Sequence, residues 1–581
     1  MKDYIIFDKA PKLVFYYNEE NYPFSDWYTK VTRATNPRPE VPGILAATNC
    51  PEEYVFNNFN LQYLRVRGNY TANYQKKSLK IKFEEKQSLF GLNNGKKAKE
   101  WVLISDYGDN SLLRDALAFY LGQQILETQW SPTFTFVQVY INGGDGEKYL
   151  GLYLLCDQKE VGKNRVNINE PEKNYTGVDI GYFFERDDYY DPNKDDPGFI
   201  IEYPNGYLPS PLEVISHPTN KYYGIGAVVR DGYTIHSKIY SEDQENFIQN
   251  YMRLIYTILY EACINNNYLE LSSTDINSWQ DWTLVESQET DPIKVVSKVI
   301  DLSSFINMYI LQEFVGNPDL AHSSFYFCLD ASVEGNKKLA LTCPWDHDRT
   351  LGLCDGLKDA SYNELWVKDA HYNPWVAILP QAEWFVDLLK QRWQQLYDKC
   401  IFRKALDMLN DYTESYKNDF DLNFQKYAID WSDIPRDARN PIVAASINSR
   451  FYLNVKTHED CKNLLYTWID SRFKALHIIL DGKGSTDWPE PPEPDPGKAG
   501  QIFRKDKLVQ IYTVETWNEM YNNAAKNADE LTKLWNLLYA CPSNAAVILY
   551  NKMYAAVASG KKLTDPELQA ELEAWNRQAA R

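Results

Sequence analysis

From residue 61 onward polar and apolar positions alternate, first in Gln62-Tyr63-Leu64-Arg65-Val66-Arg67 and again, beyond a turn at Gly68-Asn69, in Ser78-Leu79-Lys80-Ile81-Lys82-Phe83. A period of two sends successive side chains to opposite faces, so both runs predict strands joined by a loop. Ahead of them, the short apolar run 13–17 followed by Pro-rich sequence predicts an edge strand and a loop. Further strands are predicted over 101–104, 133–141 and 149–155, the last two flanking Asn142-Gly143-Gly144, as in a mainly antiparallel meander.

The period then lengthens. Asp109, Asn110 or Ser111 can cap a helix over about 112–126, whose apolar positions include Leu113, Leu117, Phe119, Leu121 and Ile125. Helical spacing returns over 242–263, after the cap residue Asp301 through Phe305, Met308, Leu311 and Phe314, over 384–410 and over 462–480. Strands first and helices later predict an α+β, two-lobed arrangement with a strand-rich N-terminal half and a helix-rich C-terminal half. Prolines crowd 482–500 and favour an extended linker, and helical spacing beyond it predicts a small C-terminal helical module. The expected organisation is an N-terminal strand and loop extension (1–55), a main domain (56–481), a Pro-rich linker (482–500) and the helical module (501–581).

Composition narrows the classes. With 44% hydrophobic residues, 43 Tyr and 16 Trp among 581, the chain can bury a large core. A formal charge of −19 argues against duplex DNA or an anionic membrane as partner, and suits a basic one. The nine cysteines are scattered without a Cys-x-x-Cys, which argues against zinc and against a disulfide framework. No apolar run has the roughly 18 to 20 residues of a membrane span. The opening MKDYIIFDKAPK lacks the basic flank, apolar stretch and cleavage site of a signal peptide, so a soluble chain of open compartment is expected, with surface or coat assembly compatible.

Two constellations carry chemistry. Arg67-Gly68-Asn69 precedes a strand dense in lysine, and turn amides together with an ammonium group can hold phosphates. Asn317-Pro318-Asp319 closes a helix, the aromatic strand Phe325-Tyr326-Phe327 follows, and then Pro344-Trp345-Asp346-His347-Asp348. Phosphoryl transfer needs one carboxylate to orient the acceptor hydroxyl and others to hold the cation that neutralises phosphate charge. Asp319 and the Asp346/Asp348 pair can supply both, with Trp345 placed to stack on a base.

These pieces, with Ser88-Leu89-Phe90-Gly91-Leu92, Leu112-Leu113-Arg114-Asp115-Ala116-Leu117, Tyr149-Leu150-Gly151-Leu152-Tyr153 and Pro344 through Gly352, resemble in their order the CotH kinase family of spore-coat proteins. The resemblance implies a divergent protein-kinase-like fold over the main domain, binding ATP with Mg2+ or Mn2+ and phosphorylating Ser or Thr of a protein partner, basic or Ser-rich. It implies Asp319 as catalytic aspartate, Asp346 and Asp348 at the metal, Trp345 beside the nucleotide, and Arg67 with Lys77 or Lys80 at the phosphates. One departure stands out: kinases place a metal-binding Asn five residues after the catalytic Asp, and here that position is Ser324. The alternative is therefore a weak or inactive nucleotide-binding or structural coat or surface protein. Sugar binding on the aromatic surface and a hydrolase pairing Asp319 with Asp346 are further alternatives. His347 and His322 read as supporting or structural.

Overall fold

The computed structural model describes residues 4–486 apart from 188–189, 194–195, 205–227, 318–319, 321–322, 354–361, 363–364, 366, 368–372, 429–454 and 485. The expected linker lies almost wholly outside the described residues, and the helical module wholly so.

Seven strands, β1 (Lys12–Tyr16), β2 (Val41–Thr48), β3 (Phe56–Val66), β4 (Leu79–Gln87), β5 (Ala98–Ile104), β6 (Phe134–Asn142) and β7 (Lys148–Asp157), close into a barrel in the order β1-β2-β3-β4-β5-β7-β6. Neighbours run antiparallel except β1 and β6, which pair in parallel and complete the ring. Alternation sets the inside: Leu79, Ile81 and Phe83 of β4 are fully buried with Leu64, Val66, Trp101 and Val137, while Lys80 and Lys82 point out to Glu100. Two expectations change here. The 13–17 run is an interior member of a closed barrel and not an edge strand, and the meander closes on itself, because only closure leaves no strand edge unpaired.

Between β5 and β6 runs α1 (Arg114–Ile125), buried along nearly its whole length. Asp109 accepts from the amides of Ser111, Leu113 and Arg114, so the expected cap residue does its work from just outside the first turn. A second sheet follows, ordered β14-β13-β8-β10-β9 from β8 (Gly181–Arg186), β9 (Gly198–Pro204), β10 (Val228–Ile235), β13 (Phe325–Asp330) and β14 (Ala340–Thr342); β11 (Leu269–Leu271) and β12 (Leu284–Glu286) form a separate hairpin.

Helices α2 (Glu242–Tyr260), α3 (Pro292–Val296), α4 (Leu302–Val315), α5 (Pro374–Ala377), α6 (Glu383–Asp398), α7 (Ile401–Ser415), α8 (Lys417–Tyr427) and α9 (His458–Ile479) complete an α+β chain whose N-terminal half is rich in strands and C-terminal half in helices. α4 is the central one, buried nearly all round, capped by Asp301 and ended by Gly316 at φ +59°, a left-handed turn that glycine makes without strain. One face of the second sheet packs into this helical core, where Phe184 stacks on Phe327 at 5.5 Å and Phe327 meets Trp375. The opposite face carries Glu185 and Tyr326, paired in register, and builds the site.

Candidate nucleotide and metal site

Glu185 anchors the arrangement. Its Oε1 accepts from the Ser324 amide at 2.8 Å, while its Oε2 hydrogen-bonds His236 Nε2 at 2.8 Å and pairs with Lys159 Nζ at 3.3 Å. Lys159 also donates to the Tyr326 hydroxyl and lies 4.0 Å from the centre of that ring. Burial alone would raise the Glu185 pKa, but Lys159, His236 and the Ser324 amide outweigh it and hold the carboxyl down at about 2.

A carboxyl whose pKa is lowered by folding adds stability above its unfolded value and loses it as pH falls through its folded one. Lowering from 4.5 to about 2 is worth about 3 kcal/mol. Glu185→Gln should therefore unfold at lower urea than wild type at neutral pH, with the gap closing from about pH 4.5 down towards pH 2. A gap unchanged across that window in pH-dependent urea titrations would refute this account.

Ser324, just before β13, and Asp346, shortly after β14, face each other at the open end of this antiparallel pair. Ser324 Oγ donates to Asp346 Oδ2 at 3.3 Å, and both residues hold left-handed backbone, φ +56° and +63°. Such conformations cost free energy in non-glycine residues and gather where a side chain must be aimed. Arg67, just past β3, lies with its guanidinium 5.3 Å from the Trp345 ring. Burial pulls the Arg67 pKa down, while Cys156, Asp346, Asp115 and Glu185 favour its charge. Trp345 is 4% exposed, its ring also 5.8 Å from Lys159 Nζ and packed on Phe119.

Asp348, also buried, lies beside Gly108, where an added Cβ would come within 3.8 Å of its Oδ2. There it joins Asp106, Asp109 and Asp115. Burial and the Asp115, Asp348 and Asp109 charges push Asp106 well above the usual carboxylate range. Asp115 Oδ1 accepts from the His347 amide at 2.8 Å and so fixes the backbone between the two site aspartates. The His347 ring is fully buried, and burial lowers its pKa to about 3, so it stays neutral.

The structure thus brings together Arg67, Ser324, Trp345 and Asp346, with Asp348 two residues on, beside Gly108 and Asp106. The lysines are engaged elsewhere: Lys77 Nζ donates to the Ala72 and Tyr74 carbonyls, and Lys80 pairs with Glu100 at 2.5 Å on the outside of the barrel. Asp319 and His322 lie outside the described residues. Lys159, Glu185 and His236 escaped the sequence reading, because three single residues from three separate segments make no local motif. The signal available was Glu185-Arg186 ending an aromatic strand, two adjacent charges where alternation buries at least one.

Among the described residues no group of three or more His, Cys, Asp or Glu side chains is arranged to hold a metal ion by itself. Mg2+ accompanying a nucleotide is commonly bound by one or two carboxylates, the phosphates and water. Asp346 and the Ser324 hydroxyl can supply the protein's oxygens for such a set, while the nearby Arg67 and Lys159 carry positive charge suited to the phosphates.

The family model described as CotH kinase protein matches residues 64–476, most of the chain and every site residue named above. No curated protein matches the chain.

Proposed function

The chain belongs to the CotH kinase family, and from that premise we propose that it is an atypical protein kinase of two-lobed, kinase-like fold that transfers phosphate from ATP to Ser or Thr of a protein partner. The observation that carries this reading is Asp346 facing Ser324 beside Arg67 and the Lys159–Glu185 pair. Arg67 and Lys159 are the cations for the nucleotide phosphates, and Trp345 holds both in place. Asp346 and the Ser324 hydroxyl would hold Mg2+ or Mn2+, with Asp348 a further acidic contributor. When bound, the cation neutralises charge on the transferring phosphate. Asp319 takes the part of orienting the acceptor hydroxyl. A chain of formal charge −19 favours a basic acceptor segment.

A ligand that binds only the folded protein must raise its stability. ATP with Mg2+ or Mn2+ is therefore expected to raise the melting temperature, and labelled γ-phosphate to appear on basic, Ser-rich acceptors. Absence of both effects across both cations would sink the proposal.

Ser324 favours a second reading, a nucleotide-binding protein without turnover, since a hydroxyl is a poorer metal ligand than an amide carbonyl. Asn also tolerates φ +56° better than Ser does. Ser324→Asn should raise the transfer rate by about tenfold, measured with Mg2+ at saturating ATP. An unchanged rate would mean that Ser324 does not limit cation binding.

A further inference from the structure

Of the residues gathered on Glu185, His236 has no part in the transfer proposed above. It follows β10 directly, and its backbone is pinned: the His236 and Ser237 amides donate to the Phe183 carbonyl at 2.8 and 3.1 Å, and the Phe183 amide donates to Ser237 Oγ at 3.1 Å. The ring lies 5.6 Å from that of Phe183 and 5.9 Å from that of Tyr326, and the side chain is still 29% exposed. An imidazole on a fixed backbone and open to solvent is placed to meet a ligand.

Its two nitrogens are not equivalent. Glu185 is ionised, held at about 2, so the contact of its Oε2 with His236 Nε2 at 2.8 Å places the ring proton on Nε2. Nδ1 then carries a free lone pair, and it has no hydrogen-bond partner among the described residues and is not enclosed. A carboxylate on one ring nitrogen makes the other more basic, and it stabilises the positive ring that forms when that other nitrogen makes a new bond.

The neighbours of the imidazole narrow what it can meet. Glu185 Oε2 also pairs with Lys159 Nζ at 3.3 Å, so His236 and one of the cations assigned to the nucleotide phosphates share a single carboxylate oxygen. Lys159 repels a metal ion, and among the described residues no group of three ligating side chains is arranged to hold one. A phosphate drawn to Lys159, by contrast, is brought beside an unprotonated nitrogen, and the ammonium offsets the negative charge that otherwise repels a nucleophile.

We propose that His236 is a phosphorylation site of the chain itself, taking the γ-phosphoryl group of ATP on Nδ1. The Nδ1 lone pair forms the N–P bond, the bond from phosphorus to the β,γ-bridging oxygen breaks, and ADP leaves with that electron pair. No proton has to be removed from the nucleophile, and the Nε2 proton stays on the resulting imidazolium, against Glu185. The chain is thereby its own acceptor, through a nitrogen and not a hydroxyl. This rests on the ATP site read above, but not on Ser or Thr of a partner.

Incubating the full chain with Mg2+ or Mn2+ and ATP labelled at its γ-phosphate tests it, because an N–P bond is lost in acid and kept in alkali, whereas Ser and Thr esters survive acid and are lost in alkali. Wild type should carry acid-labile, alkali-stable label that maps to the peptide containing His236. His236→Gln, folded by circular dichroism, should lower that label by about tenfold or more. Acid-labile label undiminished in folded His236→Gln overturns the proposal. So does a rise in melting temperature with ATP and cation that comes without acid-labile label, and the kinase reading then still stands. Neither a rise nor label of either kind removes both.

Discussion

Asp346→Asn should lower phosphoryl transfer by about a hundredfold or more, the usual effect of removing a preorganised charge from a transfer site. The substitution isolates charge from shape: Asn is isosteric, accepts the left-handed backbone at φ +63°, and leaves its carbonyl oxygen for the Ser324 hydroxyl. What it removes is the anion that would hold the cation and that favours the charged form of buried Arg67. The stabilisation by ATP with Mg2+ should disappear with the activity, while circular dichroism remains that of wild type. If Asp346→Asn keeps a metal-dependent rise in melting temperature, the cation is held elsewhere and Asp348 becomes the residue to test. Loss of transfer with retained ATP binding would separate the two roles and place Asp346 in chemistry alone.

The β3–β4 part of the barrel was legible because polar and apolar positions alternate there, whereas β2 falls where a loop was expected. Leu79-Lys80-Ile81-Lys82-Phe83 gives both the strand and its buried face, as the inward Leu79, Ile81 and Phe83 confirm. Closure was not legible, because the parallel pairing of Lys12–Tyr16 with β6 joins segments over a hundred residues apart and leaves no local trace. Helices α1 and α4 were found from caps and apolar content more than from a polar face, since each is buried nearly all round and lacks one.

The site divides along the same line. Residues 344–348 form a compact motif, and their turn does bring Asp346 to Ser324. Lysine density misled, because only the fold sets where each lysine points: Lys80 of β4 points outward to Glu100, whereas Lys76, ahead of the strand and fully buried, donates to the Ser105 and Leu152 carbonyls. The cations beside Trp345 come instead from the end of β3 and from a segment just beyond β7, and only the folded chain puts Arg67 and Lys159 on one indole.

The largest loss of stability should come from Arg114→Met. Arg114 is fully buried, and its guanidinium donates to Asp109 Oδ1 at 2.7 Å, the Thr350 carbonyl at 2.7 Å and the Leu351 carbonyl at 3.2 Å. It thereby fastens the start of α1 to the turn that follows Asp348. Met fills similar volume but leaves Asp109 as a buried charge without its cation, and removing one partner of such a pair costs about 3 to 5 kcal/mol. Asp109→Ala should cost as much, since it also removes the acceptor for the first amides of α1. The double variant should lose far less than the sum of the two, because the isolated charge is then gone. Urea unfolding of all three variants gives the coupling directly. Additive losses would mean that each residue acts alone, and the link between α1 and the Asp346–Asp348 turn would then lie in the Asp115 contact to the His347 amide. Strong coupling with weakened ATP binding in Arg114→Met would show that α1 sets the position of the turn that carries Asp346.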